Sequence, residues 1–140
     1  MKESEHWAKV RAKLSPDVHA TRIENSATAG VSDVTMCRFG VEVWVELKIQ
    51  KGNMLEFRSS QPVWIRKRMT AGGRVVVLAR KDDDLVLYTG GVCFGTMEHP
   101  PAPVKGKKAV RVRADAMYLL HREPFADINW RAFENRIFGG

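Results

Sequence analysis

The clearest pattern in this chain is an alternation of apolar and polar or aromatic positions over residues 41–50. Valine, leucine or isoleucine occupies every odd position, and the even positions carry Glu42, Trp44, Glu46, Lys48 and Gln50. A period of two predicts a β-strand that buries one face against a core. Because successive side chains of a strand point to opposite faces, Glu46 and Lys48 lie side by side on the other face.

A shorter apolar segment precedes this strand, and a turn at residues 39–40 separates the two. Residues 34–38 predict a strand that the turn allows to pair with the longer one as a hairpin. Asp33 stands at the far end of this first strand, directly after a turn of small residues. In a paired hairpin it lies near Glu46 and Lys48, so the sequence predicts two acids and a lysine at one place.

The next segments predict a helix followed by a buried strand. Residues 62–71 predict the helix, with Ile65 and Met69 on its core side and a pair of glycines at its end. The continuous apolar run 75–79 predicts a strand that is buried on both faces. Strand, helix and strand in this order favour a right-handed crossover. The prediction is an α/β fold in which helices flank a central mixed β-sheet.

Beyond residue 80 the pattern is weaker. Residues 81–84 predict a hairpin turn, and residues 92–94 predict one more short strand. A stretch rich in proline, residues 99–103, predicts a stiff linker. We therefore divide the chain into a core with an N-terminal helix, residues 1–98, and a segment 99–140. That segment holds the linker, a basic stretch and an amphipathic helix that packs on the core or on a partner subunit.

Two carboxylates on adjacent strands repel each other unless a cation lies between them. Asp33 and Glu46 are therefore candidate ligands for Mg²⁺, for which Mn²⁺ is a substitute, and the backbone carbonyl of Leu47 is a candidate third ligand. Lys48 would then act on the nucleophilic water or offset charge on a phosphate. Two alternatives stay open: Glu46 and Lys48 form only a solvated pair, and Asp33 only shapes its turn.

Gln61, at the start of the predicted helix, is either a cap or part of the same site. The order of small-residue turn, Asp33, hairpin, Glu46-X-Lys48, polar loop, Gln61 and apolar strand resembles the PD-(D/E)XK nuclease superfamily. The resemblance is closest to small phage-type members grouped with the VRR-NUC and Holliday-junction-resolvase-like nucleases. It spans about residues 20–80. One departure is Ser32, which stands where the family usually has proline.

The resemblance implies a restriction-endonuclease-like core with Mg²⁺-dependent endodeoxyribonuclease activity. It implies catalytic roles for Asp33, Glu46, Lys48 and Gln61, and makes Glu24 the candidate for an additional upstream acid. It also implies a branched DNA substrate such as a Holliday junction, in phage-type replication or recombination, and a homodimer. Two alternatives remain: a catalytically inactive DNA-binding module of the same fold, and a nuclease that acts on DNA ends or RNA.

Net charge agrees with a nucleic-acid partner. The chain has 23 lysine and arginine residues against 16 acidic ones, a formal charge of +7. Residues 61–81 and 104–113 contain cations and no acid. The candidate phosphate contacts are the cations of these two segments: Arg66, Lys67, Arg68, Arg74, Arg80, Lys81, Lys105, Lys107, Lys108, Arg111 and Arg113. A solvated surface run is the alternative for each cluster.

Two short apolar stripes are candidates for a dimer contact. They are Trp7, Val10 and Leu14 near the N-terminus, and Trp130, Phe133 and Ile137 near the C-terminus. Residues 1–6 are polar and predict neither a signal peptide nor a membrane span. We therefore expect a cytoplasmic protein, in the host cytoplasm if it is phage-encoded.

Overall fold

The structure, a computed structural model, describes residues 1–23 and 28–139. Within these ranges the α-helices are α1 (Glu3–Arg11), α2 (Ser60–Thr70) and α3 (Trp130–Phe138). The strands, in chain order, are β1 (His19–Arg22), β2 (Val34–Arg38), β3 (Val41–Ile49), β4 (Met54–Arg58), β5 (Val75–Lys81), β6 (Asp84–Thr89), β7 (Ala102–Pro103), β8 (Ala109–Arg113) and β9 (Leu119–Pro124).

The main sheet has six strands in the order β1-β2-β3-β5-β6-β9. β3 and β5 are parallel, and every other neighbouring pair in this sheet is antiparallel. The parallel pair follows from the connection, because β4 and α2 carry the chain back to the end at which β3 begins. The predicted α/β fold with a central mixed sheet and flanking helices is confirmed.

Each face of the main sheet packs against its own core. Three odd residues of β3, Val43, Val45 and Leu47, lie fully buried in a cluster with side chains of α1 and α3. The opposite face of the sheet packs against α2 and a second sheet, with Ile65 and Phe57 fully buried. Glu46 and Lys48 belong to this second face, so they are covered and not solvated.

The second sheet has three strands in the order β4-β8-β7, all antiparallel. Leu55 and Phe57 of β4 and Val112 of β8 point into the second core. Because side chains alternate along a strand, Glu56, Arg58 and other polar residues project from the opposite face. This sheet therefore covers the main sheet with one face and leaves a polar face beside the end of β3.

Two local predictions are wrong. Residues 92–94 belong to a 3₁₀ helix, Gly90–Phe94, and not to a strand. A Cβ atom at Gly90 would lie 2.9 Å from the Val75 carbonyl oxygen, so this turn packs directly against the backbone of β5. On α2, Ile65 is fully buried as predicted, but Met69, in the last turn of the helix, is 36% exposed.

Residues 99–140, which the sequence pattern sets apart, contribute to both sheets. β7 and β8 belong to the second sheet, and β9 forms an edge of the main sheet. α3 packs on the first core. No helix among the described residues is long and apolar enough to cross a bilayer.

The apolar stripes that were candidates for a dimer contact are buried inside the chain itself. Trp7, Val10, Phe133 and Ile137 are at most 5% exposed and pack together in the first core. Leu14 and Trp130 are partly buried against the same cluster. The prediction that either stripe supplies a dimer surface is therefore wrong, because the apolar faces of short terminal helices complete the small core of this domain.

Candidate active site

The backbone before Asp33 passes directly against the start of α2. Gly30 has a φ of +82°, and a Cβ atom there would lie 2.1 Å from the Ser60 carbonyl oxygen. Only glycine fits so close an approach at a positive φ. β2 begins one residue after Asp33, opposite Val45 of β3. The Asp33 carboxylate extends this pairing, since its Oδ2 accepts a hydrogen bond of 2.9 Å from the Leu47 N–H.

Glu46 is a fully buried acid whose hydrogen bonding is incomplete. Its Oε1 accepts a 2.8 Å hydrogen bond from Gln61 Nε2, whereas its Oε2 receives none from an N–H or O–H donor among the described residues. The Asp33 carboxyl group lies within hydrogen-bonding reach, so a proton on Glu46 can be shared with Asp33. Burial raises the pKa of Glu46 well above its usual range, and the neighbouring Asp33 carboxyl group raises it further. Without a cation, the two acids therefore favour a state in which Glu46 keeps its proton.

The side-chain amide of Gln61 connects the acid to the lysine. Its Oε1 accepts hydrogen bonds from Lys48 Nζ at 3.0 Å and from the Arg58 N–H at 2.9 Å. Lys48 Nζ is 3.9 Å from Glu46 Oε1 and 4.7 Å from the centre of the Phe57 ring. Gln61 is 2% exposed, and its amide bonds to Glu46 and Lys48, so it does more than complete a helix cap.

Glu3, at the start of α1, is a site residue that we did not predict. Glu3 lies on the rim of a cleft that Asp33 and Lys48 also line. Partial burial of the Glu3 carboxyl group raises its pKa. Lys48 lowers this pKa and Asp33 raises it, so all three groups share one electrostatic environment. The spacing of residues along α1 could have predicted this position. Glu3, Trp7 and Val10 are at i, i+4 and i+7, so Glu3 lies on the same face of the helix as two buried residues.

α1 is held in place by His6, which is fully buried one turn after Glu3. Its Nε2 lies 3.0 Å from the Leu78 carbonyl oxygen of β5. Burial lowers the pKa of His6, and this favours the neutral imidazole. The contact fixes the helix that carries Glu3 against the main sheet.

The donors around Asp33 and Glu46 fit a hard cation. Among the described residues, no group of three or more His, Cys, Asp or Glu side chains converges closely enough to hold a metal ion. Mg²⁺ needs fewer protein ligands, because it keeps several waters and often uses one or two carboxylates. The unpartnered Glu46 Oε2 beside Asp33 is such a donor.

The Leu47 carbonyl is compatible with the same site. The N–H and C=O groups of one strand residue point to the same edge, and the Leu47 N–H points to Asp33. The carbonyl therefore lies on the Asp33 side of β3. Glu24, the candidate for an additional acid, lies outside the described residues.

The acids, Lys48 and Gln61 lie next to a cleft of about 1000 Å³ between the start of α1, the end of β3 and the second sheet. The described residues that line it include no aromatic ring. Its acids are Glu3, Asp33 and Glu56. Its cations are Lys2, Lys48, Lys51, Arg58, Lys107 and Arg111. The cleft thus has a mainly cationic margin next to the acids of the site.

Of the predicted phosphate contacts, Lys107 and Arg111 line this cleft. Lys105 and Lys108 are exposed neighbours of Lys107, between β7 and β8. Lys67 is exposed on α2, where Arg66 lies 4.2 Å above the Phe94 ring and Arg68 lies 5.0 Å above the Trp44 ring.

Arg74 lies at the C-terminal end of α3. It donates hydrogen bonds to the Ile137 and Arg136 carbonyl oxygens, at 2.7 Å and 3.0 Å. Its guanidinium group therefore satisfies carbonyls that the helix itself leaves without partners. This contact gives Arg74 a structural role in holding α3.

No protein-family model and no curated protein sequence matches this chain. Among solved structures, the chain is similar to Hjc, a Holliday junction resolvase from the archaeal hyperthermophile Archaeoglobus fulgidus. The two are 11% identical, the match covers 82% of this chain and 79% of that chain, and the TM-score is 0.47. What this chain does is therefore argued from its own site.

Proposed function

We propose that this protein is a metal-dependent nuclease that hydrolyses phosphodiester bonds in DNA. The observation that carries the proposal is the buried Glu46, whose Oε2 receives no hydrogen bond from a donor among the described residues and whose carboxyl group lies beside that of Asp33. A carboxylate pair of this kind is costly in a fold unless a cation compensates it. Lys48 and Gln61 complete the cluster, and a cleft with a cationic margin adjoins it.

In this proposal Asp33, Glu46 and the Leu47 carbonyl hold Mg²⁺ or Mn²⁺, and Glu3 supports the ion from the rim. The bound ion supplies charge stabilisation at the attacked phosphate. Lys48 donates a hydrogen bond to the attacking water or to a phosphate oxygen, where negative charge develops in the transition state. Gln61 keeps the lysine in this position, because its amide accepts from Lys48 Nζ and donates to Glu46.

The cleft favours recognition of the nucleic-acid backbone. Lysine and arginine contacts to phosphates position a strand without reading its sequence. Binding of unpaired bases commonly uses aromatic rings as stacking platforms, and the described cleft residues include none. We therefore expect cleavage with little sequence preference.

We further propose branched DNA, such as a four-way junction, as the substrate, and a role in phage-type replication or recombination. The support is the resemblance of the sequence to resolvase-like nucleases. Paired incision of a symmetric junction by a chain with one site requires a two-fold dimer. Because the terminal stripes are buried, the dimer needs another surface. Sedimentation of the free and junction-bound protein measures this directly, and a monomer in both states contradicts the dimer.

Cleavage assays on linear, nicked and four-way DNA and on RNA, each with Mg²⁺, Mn²⁺ or EDTA, test the proposal. We expect cleavage that requires the metal and is abolished in Glu46→Gln. The matched control is Glu42→Gln, on the same strand and face but exposed. Binding without cleavage under any metal condition would favour the inactive DNA-binding module. Cleavage restricted to RNA or to DNA ends would favour the other alternative.

A further inference from the structure

The second sheet presents a group of charged side chains to the cleft, which we call the wall cluster: Glu56, Arg58, Lys107 and Arg111. Glu56 and Arg111 are direct cross-strand neighbours on β4 and β8, and Arg111 Nη2 lies 3.3 Å from Glu56 Oε1. Lys107, in the connection between β7 and β8, has its Nζ 3.5 Å from Glu56 Oε2. One carboxylate therefore contacts two cations.

The wall cluster lies directly beside the candidate active site. The Arg58 N–H donates to Gln61 Oε1, and the Arg58 charge lowers the pKa of Glu3 across the cleft. All four members of the cluster line the same cleft as Asp33 and Lys48. A strand whose scissile phosphate lies at Lys48 would therefore bring a neighbouring phosphate to this wall.

The charges of the wall cluster do not balance, since it contains three cations and one acid, and that acid contacts two of the cations. The ion pairs are also open to water: the side chains of Lys107 and Arg111 are 62% and 51% exposed, and that of Glu56 is 39% exposed. Solvent-exposed ion pairs of this kind are weak, so another anion can replace the carboxylate at little cost. A phosphate accepts the two parallel hydrogen bonds of a guanidinium group as a carboxylate does.

We propose that Arg58, Lys107 and Arg111 form a subsite for an uncleaved backbone phosphate, and that Glu56 holds Lys107 and Arg111 in place until this phosphate replaces it. The inference rests on the proposed nuclease function, because it places the phosphate on the strand that is cut. Glu56 thus acts as an internal competitor of the substrate. Its removal strengthens binding, whereas removal of Arg111 weakens it.

A scan with uncharged backbone linkages tests the subsite. Each oligonucleotide of a set carries a single methylphosphonate, at a different position near the cleavage site. The binding of each oligonucleotide is measured in EDTA, so that it does not depend on catalysis. We expect one position at which neutralisation weakens binding about tenfold. Arg111→Gln should weaken binding of the all-phosphate strand to a similar extent and remove the sensitivity at that position. Glu56→Gln should tighten binding about threefold.

The matched controls are Arg122→Gln and Asp84→Asn. They alter an exposed arginine–carboxylate pair of 2.7 Å between β9 and β6, and neither residue lines the cleft. If the control variants change DNA binding as much as Arg111→Gln and Glu56→Gln do, the subsite is overturned, because net charge alone then explains the effects. A flat scan would overturn it as well, even if the wild type cleaves DNA. A position-specific weakening that Arg111→Gln removes, without cleavage by any metal form, would support the subsite and contradict the nuclease.

Discussion

Two glutamates lie at the same cleft in opposite environments. Glu46 belongs to the buried cluster next to the cleft, which we call the floor; it is fully buried beside Asp33, and both burial and Asp33 raise its pKa. Glu56, on the wall, is partly exposed; desolvation acts to raise its pKa, but Lys107 and Arg111 lower it by more. On the floor, a buried acid favours its proton unless a cation compensates its charge, and on the wall, cations can accept a different anion. Under the proposed function, this difference separates chemistry from binding within one cleft.

The largest expected effect tests the division between floor and wall. Lys48→Ala should lower kcat about 10²-fold or more with little change in KM, because its ammonium group acts on charge that develops in the transition state. Arg111→Gln should instead raise KM and leave kcat nearly unchanged. Steady-state kinetics on one substrate separates the two. Normal cleavage by Lys48→Ala would contradict a catalytic role for Lys48. Glu46 and Lys48 would then be only a pair of neighbouring charges on one strand.

The second prediction compares the wall with the basic run of α2. Reversing Arg58, Lys107 and Arg111 to Glu together should weaken DNA binding about 10–100-fold and lower the salt slope by roughly one for each phosphate that the variant no longer binds. Reversing the run 66–68 in the same way adds the same charge outside the cleft and should weaken binding only a few-fold. Titrations at several salt concentrations measure both variants. A larger effect from α2 would place the main phosphate contacts there.

The contrast between these two basic regions explains which parts of the site the sequence predicts. Residues 66–68 are consecutive, but a helix turns 100° per residue, so adjacent charges diverge. Arg58 and Arg111 are more than fifty positions apart, and the pairing of β4 with β8 brings them to one wall. Sequence patterns detect runs of cations, and Lys107 and Arg111 were predicted in this way. They do not show that Arg58 joins these two cations, because that depends on the long-range pairing of β4 with β8.

The same reasoning applies to the acids. The geometry of Asp33 and Glu46 was predictable because a hairpin is local and a period of two fixes the faces of its strands. The fold class followed from the order of the elements. Glu3 was missed because α1 reaches the site only by docking on the main sheet through contacts such as that of His6 with Leu78. The 3₁₀ helix at Gly90–Phe94 was missed because its packing against Val75 is a tertiary contact.

The third prediction uses the opposite pKa shifts of the two glutamates. The raised pKa means that Glu46 holds its proton more strongly in the folded protein than in the unfolded chain. In metal-free protein, the free energy of unfolding therefore decreases as pH rises from about 4.5 to the raised pKa, because Glu46 loses its proton more readily in the unfolded chain. The lowered pKa of Glu56 works in the other direction. Its stabilising effect is present above about 4.5 and disappears as pH falls through the lowered value.

We therefore expect Glu46→Gln to be more stable than the wild type at pH 8 in EDTA, by on the order of 1–3 kcal/mol, because it removes a buried charge that Lys48 compensates only in part. At pH 4 the difference should nearly vanish. Mg²⁺ should raise the thermal midpoint of the wild type more at pH 8 than at pH 5, and should not do so for the variant. Thermal unfolding with and without Mg²⁺ measures this. A wild type that is insensitive to Mg²⁺ at pH 8 would contradict the metal site.

The smallest expected effect is on the free energy of unfolding of the protein, when an arginine is removed from α2 or from the wall cluster. Arg68 lies over the Trp44 and Trp64 rings, at 5.0 Å and 5.9 Å from their centres, and its aliphatic stem covers apolar surface. Arg68→Ala should therefore destabilise the fold by about 1 kcal/mol. Arg111→Ala should cost less than about 0.5 kcal/mol, because it removes only an exposed ion pair.

Urea unfolding of both variants, with Arg122→Ala as the exposed ion-pair control, measures these costs. The informative outcome is the combination of stability and binding in each variant. A stable Arg111→Ala protein that binds DNA poorly lacks an interaction with its ligand, since its fold is intact. If Arg111→Ala is instead as unstable as Arg68→Ala, its weaker binding reflects damage to the second sheet. The wall cluster would then have the same structural role as the cations of α2.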